Sequence, residues 1–353
     1  MGMNEELDTI LDKAEEVPGC VLKVAKGRQQ VYAKAAGFRQ IAPLQLPMTM
    51  NTVFDIASLT KIVTSTMILR LISKGDFQLH THLDELLGEQ NAVLQAHFKE
   101  ISIFQLLTHS SGLLNWHPFY TNRQDLFSQL TKFESYVFCK ENVGYSDLNF
   151  ILLGKVIEKT TGEPLEQAFN RLIKEPLNLK TMAYGPVDQG NVAATEFGNQ
   201  IEMNMCEERR LSFDNWRNTN EPLCGEVNDG NTHYFFNGVS SHAGLFADIE
   251  DVCKIGGIYT EPDLAEKAGI DAKFIEAAGT NLVGNRGLGF EFSSVFPEGF
   301  GHTGFTGTSM FIHHPTKAVA ILLTNRLHQT IPGNINALRT AVHETVCRYQ
   351  MTT

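Results

Sequence analysis

Hydrophobic and polar positions divide the chain into a helix, a hairpin, a longer helix, a helical middle, a returning pair of strands and a last helix. Between Asn4 and Val17 the residues Leu7, Ile10, Leu11 and Ala14 fall on one helical face, and Pro18-Gly19 ends the pattern. Cys20 to Gly37 alternates on either side of Lys26-Gly27-Arg28, which predicts a β-hairpin. Between Phe54 and Gly75, Ile62, Met67 and Leu71, with Val63, Ile68 and Leu69 beside them, have the spacing of a buried helix of about four or five turns. Asp55 and Ser58 are candidate caps at its start, and Gly75 stops it.

From about His82 to Asn237 the pattern is helical or irregular, with helical stretches at Ile103 to Leu107, Leu148 to Thr160 and Pro164 to Leu172. Strand patterning returns at Gly307 to His313 and, after a His314-Pro315-Thr316-Lys317 turn, at Ala318 to Thr324; helical spacing follows from Ile335 to Tyr349. This order predicts an α/β (α+β) fold, in which an antiparallel sheet made from both ends of the chain is flanked by the N- and C-terminal helices and carries a mostly helical insertion. The expected division is 1–80 with 238–353 for the sheet part and 81–237 for the inserted part. A catalytic cleft is expected between them.

Composition narrows the function. With 353 residues, 42% hydrophobic and 20% charged, the chain can bury a large core and is too apolar for disorder. Forty acidic residues against 29 Lys and Arg give a net charge of −11, which repels phosphate backbones and anionic membrane surfaces, so nucleic acid is not an expected partner. No segment reaches the ~20 apolar residues of a membrane span. The opening Met1-Gly2-Met3-Asn4-Glu5-Glu6 carries acid where a secretory signal needs a basic start and an apolar run, so the expected location is cytoplasmic. The cysteines (Cys20, Cys139, Cys206, Cys224, Cys253 and Cys347) are spaced singly, without the C-x-x-C pattern of zinc or redox sites, and are expected to be reduced structural thiols.

The candidate chemistry starts at Ser58-Leu59-Thr60-Lys61. A hydroxyl and an amine three residues apart at a helix start share one face, as a nucleophile and its base must. Lys61 sits in the first turn, where the helix dipole disfavours a cation, and Ile62 and Val63 flank it with apolar surface; both effects would lower its pKa. Ser-x-x-Lys also arises from ordinary helix capping and carries little alone. Tyr145-Ser146-Asp147 and His302-Thr303-Gly304 follow in the order and rough spacing of the S-x-x-K, S-D-N and K-T-G set. Three ordered motifs are hard to obtain by chance.

On these motifs the chain resembles the serine β-lactamase and penicillin-binding-protein superfamily, especially its class C-like esterases and D-aminopeptidases. Matching blocks at Phe54 to Ala57, Leu106 to Leu113, Tyr145 to Gly154, Ser241 to Phe246 and Gly301 to Ser309 extend the likeness over nearly the whole chain. The resemblance implies that Ser58 attacks an acyl carbon, that Lys61 takes its proton, and that Tyr145 passes protons to the leaving group and later from water. It implies a strand His302-Thr303-Gly304-Phe305 beside the serine, with the backbone N–H groups of Ser58 and Phe305 as an oxyanion hole. Asp147, His302, Thr303 and Gly304 would line the substrate site, Gly304 admitting substrate close to the backbone. No metal or other cofactor is implied. The implied partner is a small ester, peptide or β-lactam substrate, and nothing is implied about oligomeric state.

Two positions depart from the family pattern: Asp147 stands where Asn is frequent and His302 where the β-lactamases usually have Lys. Asp147 would orient Lys61 and raise its pKa, or cap the helix from Leu148. His302 gives up a fixed positive charge that would grip a substrate carboxylate, which favours esters or amides over penicillins. His109 and His242 read as buried structural histidines, and Asn228-Asp229-Gly230-Asn231 as a loop near the cleft. Intact Ser58, Lys61 and Tyr145 argue against the rival of a penicillin-binding sensor or scaffold with little turnover. His80-Thr81-His82-Leu83-Asp84 opens like the zinc signature H-x-H-x-D-H, but Glu85 replaces its last histidine. A G-x-S-x-G nucleophile elbow does not occur.

Overall fold

A computed structural model describes residues 2–88, 99–130 and 143–350, so Cys139 lies outside the described residues. In chain order the strands and longer helices are α1 (Met3–Asp12), β1 (Gly19–Lys26), β2 (Gln29–Gln40), β3 (Leu46–Pro47), β4 (Phe54–Asp55), α2 (Thr60–Lys74), α3 (Asp147–Thr161), β5 (Ala183–Tyr184), α4 (Gln200–Glu208), β6 (Leu245–Ala247), α5 (Ile249–Gly257), β7 (Gly299–Thr303), β8 (Ser309–His313), β9 (Ala318–Thr324) and α6 (Asn336–Gln350). Shorter helical turns lie between them. Among the described residues no helix is long and apolar enough to cross a membrane, and the five described cysteines are free.

The main sheet has the order β3-β2-β1-β9-β8-β7 and is antiparallel throughout, so the two ends of the chain meet where β1 pairs with β9. Alternation along the strands fills two cores. Cys20, Leu22, Val24, Ala320 and Leu322 meet Leu7 and Leu11 of α1 and Leu338, Val342 and Val346 of α6. Val21, Val319, Ile321 and Leu323 face a larger core that includes α2, α3 and α5. Strand β9 is buried along its whole length, which explains its unbroken Ala-Val-Ala-Ile-Leu-Leu run: a central strand covered on both faces has no polar side.

Two predicted helices are shorter than their periodicity. Helix α1 stops at Asp12 because the chain tightens into turns, Ala14 bonding to Leu11 and Glu15 to Lys13, ahead of Pro18, which disfavours helix at the residue before it. The Phe54 to Gly75 stretch is not one helix. Phe54 and Asp55 form β4, opposite Ala247 and Phe246 of β6, a tight helical turn spans Ala57–Leu59, and α2 begins only at Thr60. Neither Asp55 nor Ser58 caps α2: the Asp55 carboxylate accepts the Ala57 N–H at 2.8 Å, and the cap position, Leu59, has no side-chain bond. Gly75 does end the helix, at φ +89°.

Residues Ser240 to Ala243 thread between α2 and α3 and are stitched to both. Thr64 Oγ1 donates to the Ser241 carbonyl at 2.7 Å, and Ser241 Oγ donates to the Phe150 carbonyl at 2.6 Å. A side chain at Gly154 would put its Cβ 2.1 Å from Ser241 Oγ, so α3 approaches this segment closely only because residue 154 is glycine.

Candidate active site

Ser58 is carried on the turn between β4 and α2, and that turn is held from three sides. Ile56 N–H donates to Leu245 O of β6 at 3.0 Å, Thr308 Oγ1 to Ile56 O at 3.1 Å, and Thr306 Oγ1 to Asp55 O at 2.8 Å. Asp55, fully buried, accepts the N–H groups of Ala57 and Asn228, and burial pushes its carboxyl up to about 6. Ala57, just before the serine, has φ +45°, a conformation L-residues rarely adopt, which these bonds hold in place. Gly304 follows β7, and its absent Cβ would meet Thr308 Oγ1 at 2.0 Å and Ile56 O at 2.9 Å. The glycine thus lets the end of β7 approach the serine turn, against Thr308 Oγ1 and the Ile56 carbonyl.

Ser58 Oγ accepts two hydrogen bonds, from Lys61 Nζ at 2.9 Å and from Tyr145 OH at 2.8 Å. Lys61 is 0% exposed, and its ammonium has three donors for three acceptors: Ser58 Oγ, the His242 carbonyl at 2.9 Å and Asp147 Oδ1 at 2.7 Å. The expected lowering of its pKa does not occur. Burial does push the ammonium down, but the facing Asp147 carboxylate and Tyr145 outweigh it and hold Lys61 above the ordinary lysine value. Burial likewise raises the Tyr145 phenol, with Lys61 acting in the opposite sense. Asp147 is the first residue of α3, and the cap position is Ser146, so the carboxylate turns to Lys61 instead of capping the helix.

Two histidines set aside in the sequence prove to be part of this arrangement. His109, at φ +53° and buried, accepts the Ser146 N–H on Nδ1 at 3.1 Å, and its ring lies 4.7 Å from that of Tyr145. Its carbonyl accepts the Gly144 N–H at 3.0 Å, so the turn after Leu107 clamps the segment that carries Tyr145. His242 has its ring pinned between Ser240 Oγ at 2.7 Å and Asp229 Oδ1 at 3.0 Å, while its carbonyl receives Lys61. The ring nitrogens are structural; the backbone atoms they fix are what reach the site.

A cavity of about 650 Å³ opens over Ser58 and is lined by Tyr145, Asp147, His302, Thr303, Gly304 and Phe305. The motif residues are therefore brought together, with Lys61 beneath. Phe305 is 45% exposed, with its carbonyl accepting from Arg326 Nε at 2.8 Å. His302 donates from Nδ1 to the Thr303 carbonyl at 2.7 Å, and burial, with Lys61 and Arg286 nearby, pushes it down to about 3, so the ring is neutral. A cation from another element lines the same cavity: Arg286 lies 5.8 Å from the centre of the Tyr145 ring and pairs with Glu291 at 3.5 Å. Nothing in the spacing around Arg286 marked it. Trp116, Glu202 and Asp229 line the same cavity.

Among the described residues no group of three or more His, Cys, Asp or Glu side chains is placed to hold a metal ion. His82 stands at the start of the one-turn helix Leu83–Leu87, its N–H bound to Glu85 Oε1 at 3.0 Å, and the His80 ring lies tilted against that of Phe104, 5.4 Å between centres.

The model of a family described as Beta-lactamase matches residues 7–343. An N-acetylmuramyl-L-alanine amidase of Bacillus subtilis (strain 168) is 29% identical, over 91% of this chain and 80% of that protein. Among solved structures, the octameric penicillin-binding protein homologue from Pyrococcus abyssi superposes with a TM-score of 0.70 at 22% identity, covering 95% of this chain and 75% of the other. The D-amino acid amidase of Ochrobactrum anthropi SV3, solved with D-phenylalanine, gives 0.71 at 18% identity, covering 98% and 99%.

Proposed function

Because this chain belongs to the β-lactamase family, we propose that it is a serine hydrolase that passes an acyl group through Ser58 to water. One observation carries the reading: at the floor of a cavity a serine hydroxyl receives hydrogen bonds from both a buried lysine and a tyrosine. Ser58 Oγ bonds to the acyl carbon, and its proton passes to Lys61 in its neutral form. The carbonyl oxygen, now negative, is received by the N–H groups of Ser58 and Phe305, a contribution of ~3 kcal/mol to the barrier. The proton then reaches the leaving nitrogen or oxygen through Tyr145. A water takes the leaving group's place, gives a proton back along the same path, and frees the acid.

Thr303, Gly304, His302 and Asp147 form the substrate walls in this reading. The preferred substrates are amides, peptides or esters over penicillins. A neutral His302 offers no charge to a β-lactam carboxylate, and the B. subtilis relative is an amidase by name. Arg286, on another wall of the cavity, is engaged by the Glu291 carboxylate. The division into a sheet part, 1–80 with 238–353, and an inserted part, 81–237, belongs to the same proposal, with Ser58 on the first and Tyr145 and Asp147 on the second.

The test is intact mass against time for the wild type, Ser58→Ala and Lys61→Ala, each mixed with a nitrophenyl ester, an amino-acid nitroanilide and a penicillin, with released chromophore followed in parallel. An adduct and turnover that vanish in Ser58→Ala, and fall about a thousandfold or more in Lys61→Ala, are expected. Turnover that survives in Ser58→Ala overturns the assignment.

A further inference from the structure

The geometry around Lys61 points to a role for Asp147 that the family pattern, with its frequent asparagine, does not supply. Resting on the serine-hydrolase reading above, we propose that Asp147 is a positioning residue that sets the protonation state of Lys61. As its counter-ion it keeps the resting lysine an ammonium, and acylation of Ser58 begins only when a proton has left this pair.

The ammonium has no lone pair to offer Ser58. All three of its N–H bonds are engaged, one of them on Ser58 Oγ itself, so Lys61 as it stands donates to the nucleophile and cannot deprotonate it. Its other neighbours among the described residues bring no carboxylate to offset burial. Phe150 and Tyr145 of the α3 side lie 5.8 and 5.0 Å away, face-on. The His242 segment offers a neutral carbonyl. His109, from the turn after Leu107, and His302, from β7, are buried and neutral. Arg286 adds positive charge on the far side of Tyr145. Asp147 is the one carboxylate in contact with Lys61 among the described residues. Its oxygen at 2.7 Å makes a neutral ion pair where an asparagine would leave a bare buried cation.

The proton balance is explicit. The pair loses one proton through the cavity, where Asp147, its side chain 16% exposed, is the member in reach of water. This leaves a neutral Lys61 amine beside the Asp147 carboxylate. The amine turns about Cε–Nζ, presents its lone pair to the Ser58 hydroxyl, and takes that proton as Oγ bonds to the acyl carbon. The ammonium is restored beside its counter-ion and then yields a proton through Tyr145 to the leaving group. Removing the carboxylate leaves burial as the dominant influence on Lys61, and burial favours the neutral amine.

The experiment is the pH profile of kcat/KM for release of nitrophenol, with the adduct on Ser58 followed by mass, in wild type, Asp147→Asn and Asp147→Glu, with Ser58→Ala as the parallel control and a melting curve for each. The rising limb in Asp147→Asn is expected to move toward acid by about one pH unit or more, a tenfold gain relative to its own plateau at pH values on the limb. Asp147→Glu, which keeps the charge, is expected to return the limb toward the wild-type position. A limb in Asp147→Asn that coincides with the wild type overturns the proposal, as does a folded Asp147→Asn that is inactive at every pH, which would make the carboxylate itself the necessary proton acceptor. Release that persists in Ser58→Ala removes the serine reading and this proposal together; release lost in Ser58→Ala with an unmoved limb removes this proposal alone.

Discussion

Tyr145 shows what a single atom contributes at this site. Its hydroxyl donates to Ser58 Oγ at 2.8 Å while its ring rests against His109, so removing the oxygen leaves the packing in place and deletes one bond to the nucleophile. Tyr145→Phe is expected to lower kcat by about 10²- to 10³-fold, the range of a lost general acid–base group, with KM and melting temperature little changed. Steady-state kinetics at saturating ester together with thermal melting check it; an equal loss in a Ser58-independent property such as melting would make the hydroxyl structural. Residues such as Ser58 and Lys61 were legible because their spacing on a helix start has a direct chemical meaning. The charge state of Lys61 was legible only in part: the motif already suggested that Asp147 would raise it, but that this outweighs burial depends on a 2.7 Å contact that local spacing cannot set. His302 was legible as a site residue, but its neutrality comes from burial that only packing creates.

Among the elements, the strands and α2 follow from periodicity, whereas the pieces that aim Ser58 are too short to have any. Strand β4 has two residues, and it forms because β6 offers partners for it. The end of β7 touches the serine turn only because residue 304 has no Cβ. Gly304→Ala is therefore expected to push this segment away from Ile56 and Thr308, at a cost of about 1–3 kcal/mol in stability. It should also reduce kcat/KM by tenfold or more, since ångström-scale misplacement of an oxyanion donor is costly. Urea unfolding and ester kinetics on one preparation measure both. A stable variant with unchanged kinetics would mean that the junction between β7 and the serine turn tolerates the extra carbon.

For the molecule as a whole, several carboxylates are buried beneath the cleft, and their protons tie stability to pH. Glu202 on α4 accepts from Tyr120 OH at 2.7 Å and Gly230 N–H at 2.6 Å; burial, with Asp229 beside it, pushes it up to about 8, and burial pushes Glu196 up to about 7. Between the ordinary carboxyl value and these, the folded chain holds protons that the unfolded chain has released, so each contribution is lost as pH rises. Below about 6.5 the buried neutral His302 and His343 act in the opposite sense, losing stability as pH falls. The melting temperature is therefore expected to fall from pH 6.5 to 8.5, and Glu202→Gln to flatten that slope; an equal slope in the variant would remove Glu202 as its source. The sequence by itself determined the sheet with its flanking helices, the Ser-x-x-Lys pair and the order of the three motifs, because periodicity and helix spacing act between near neighbours. Only the tertiary structure decided the ammonium at Lys61, the anchoring by His109 and His242 and the cation at Arg286. Electrostatic and hydrogen-bond energies depend on distance through space, and folding sets that distance for residues far apart in the chain.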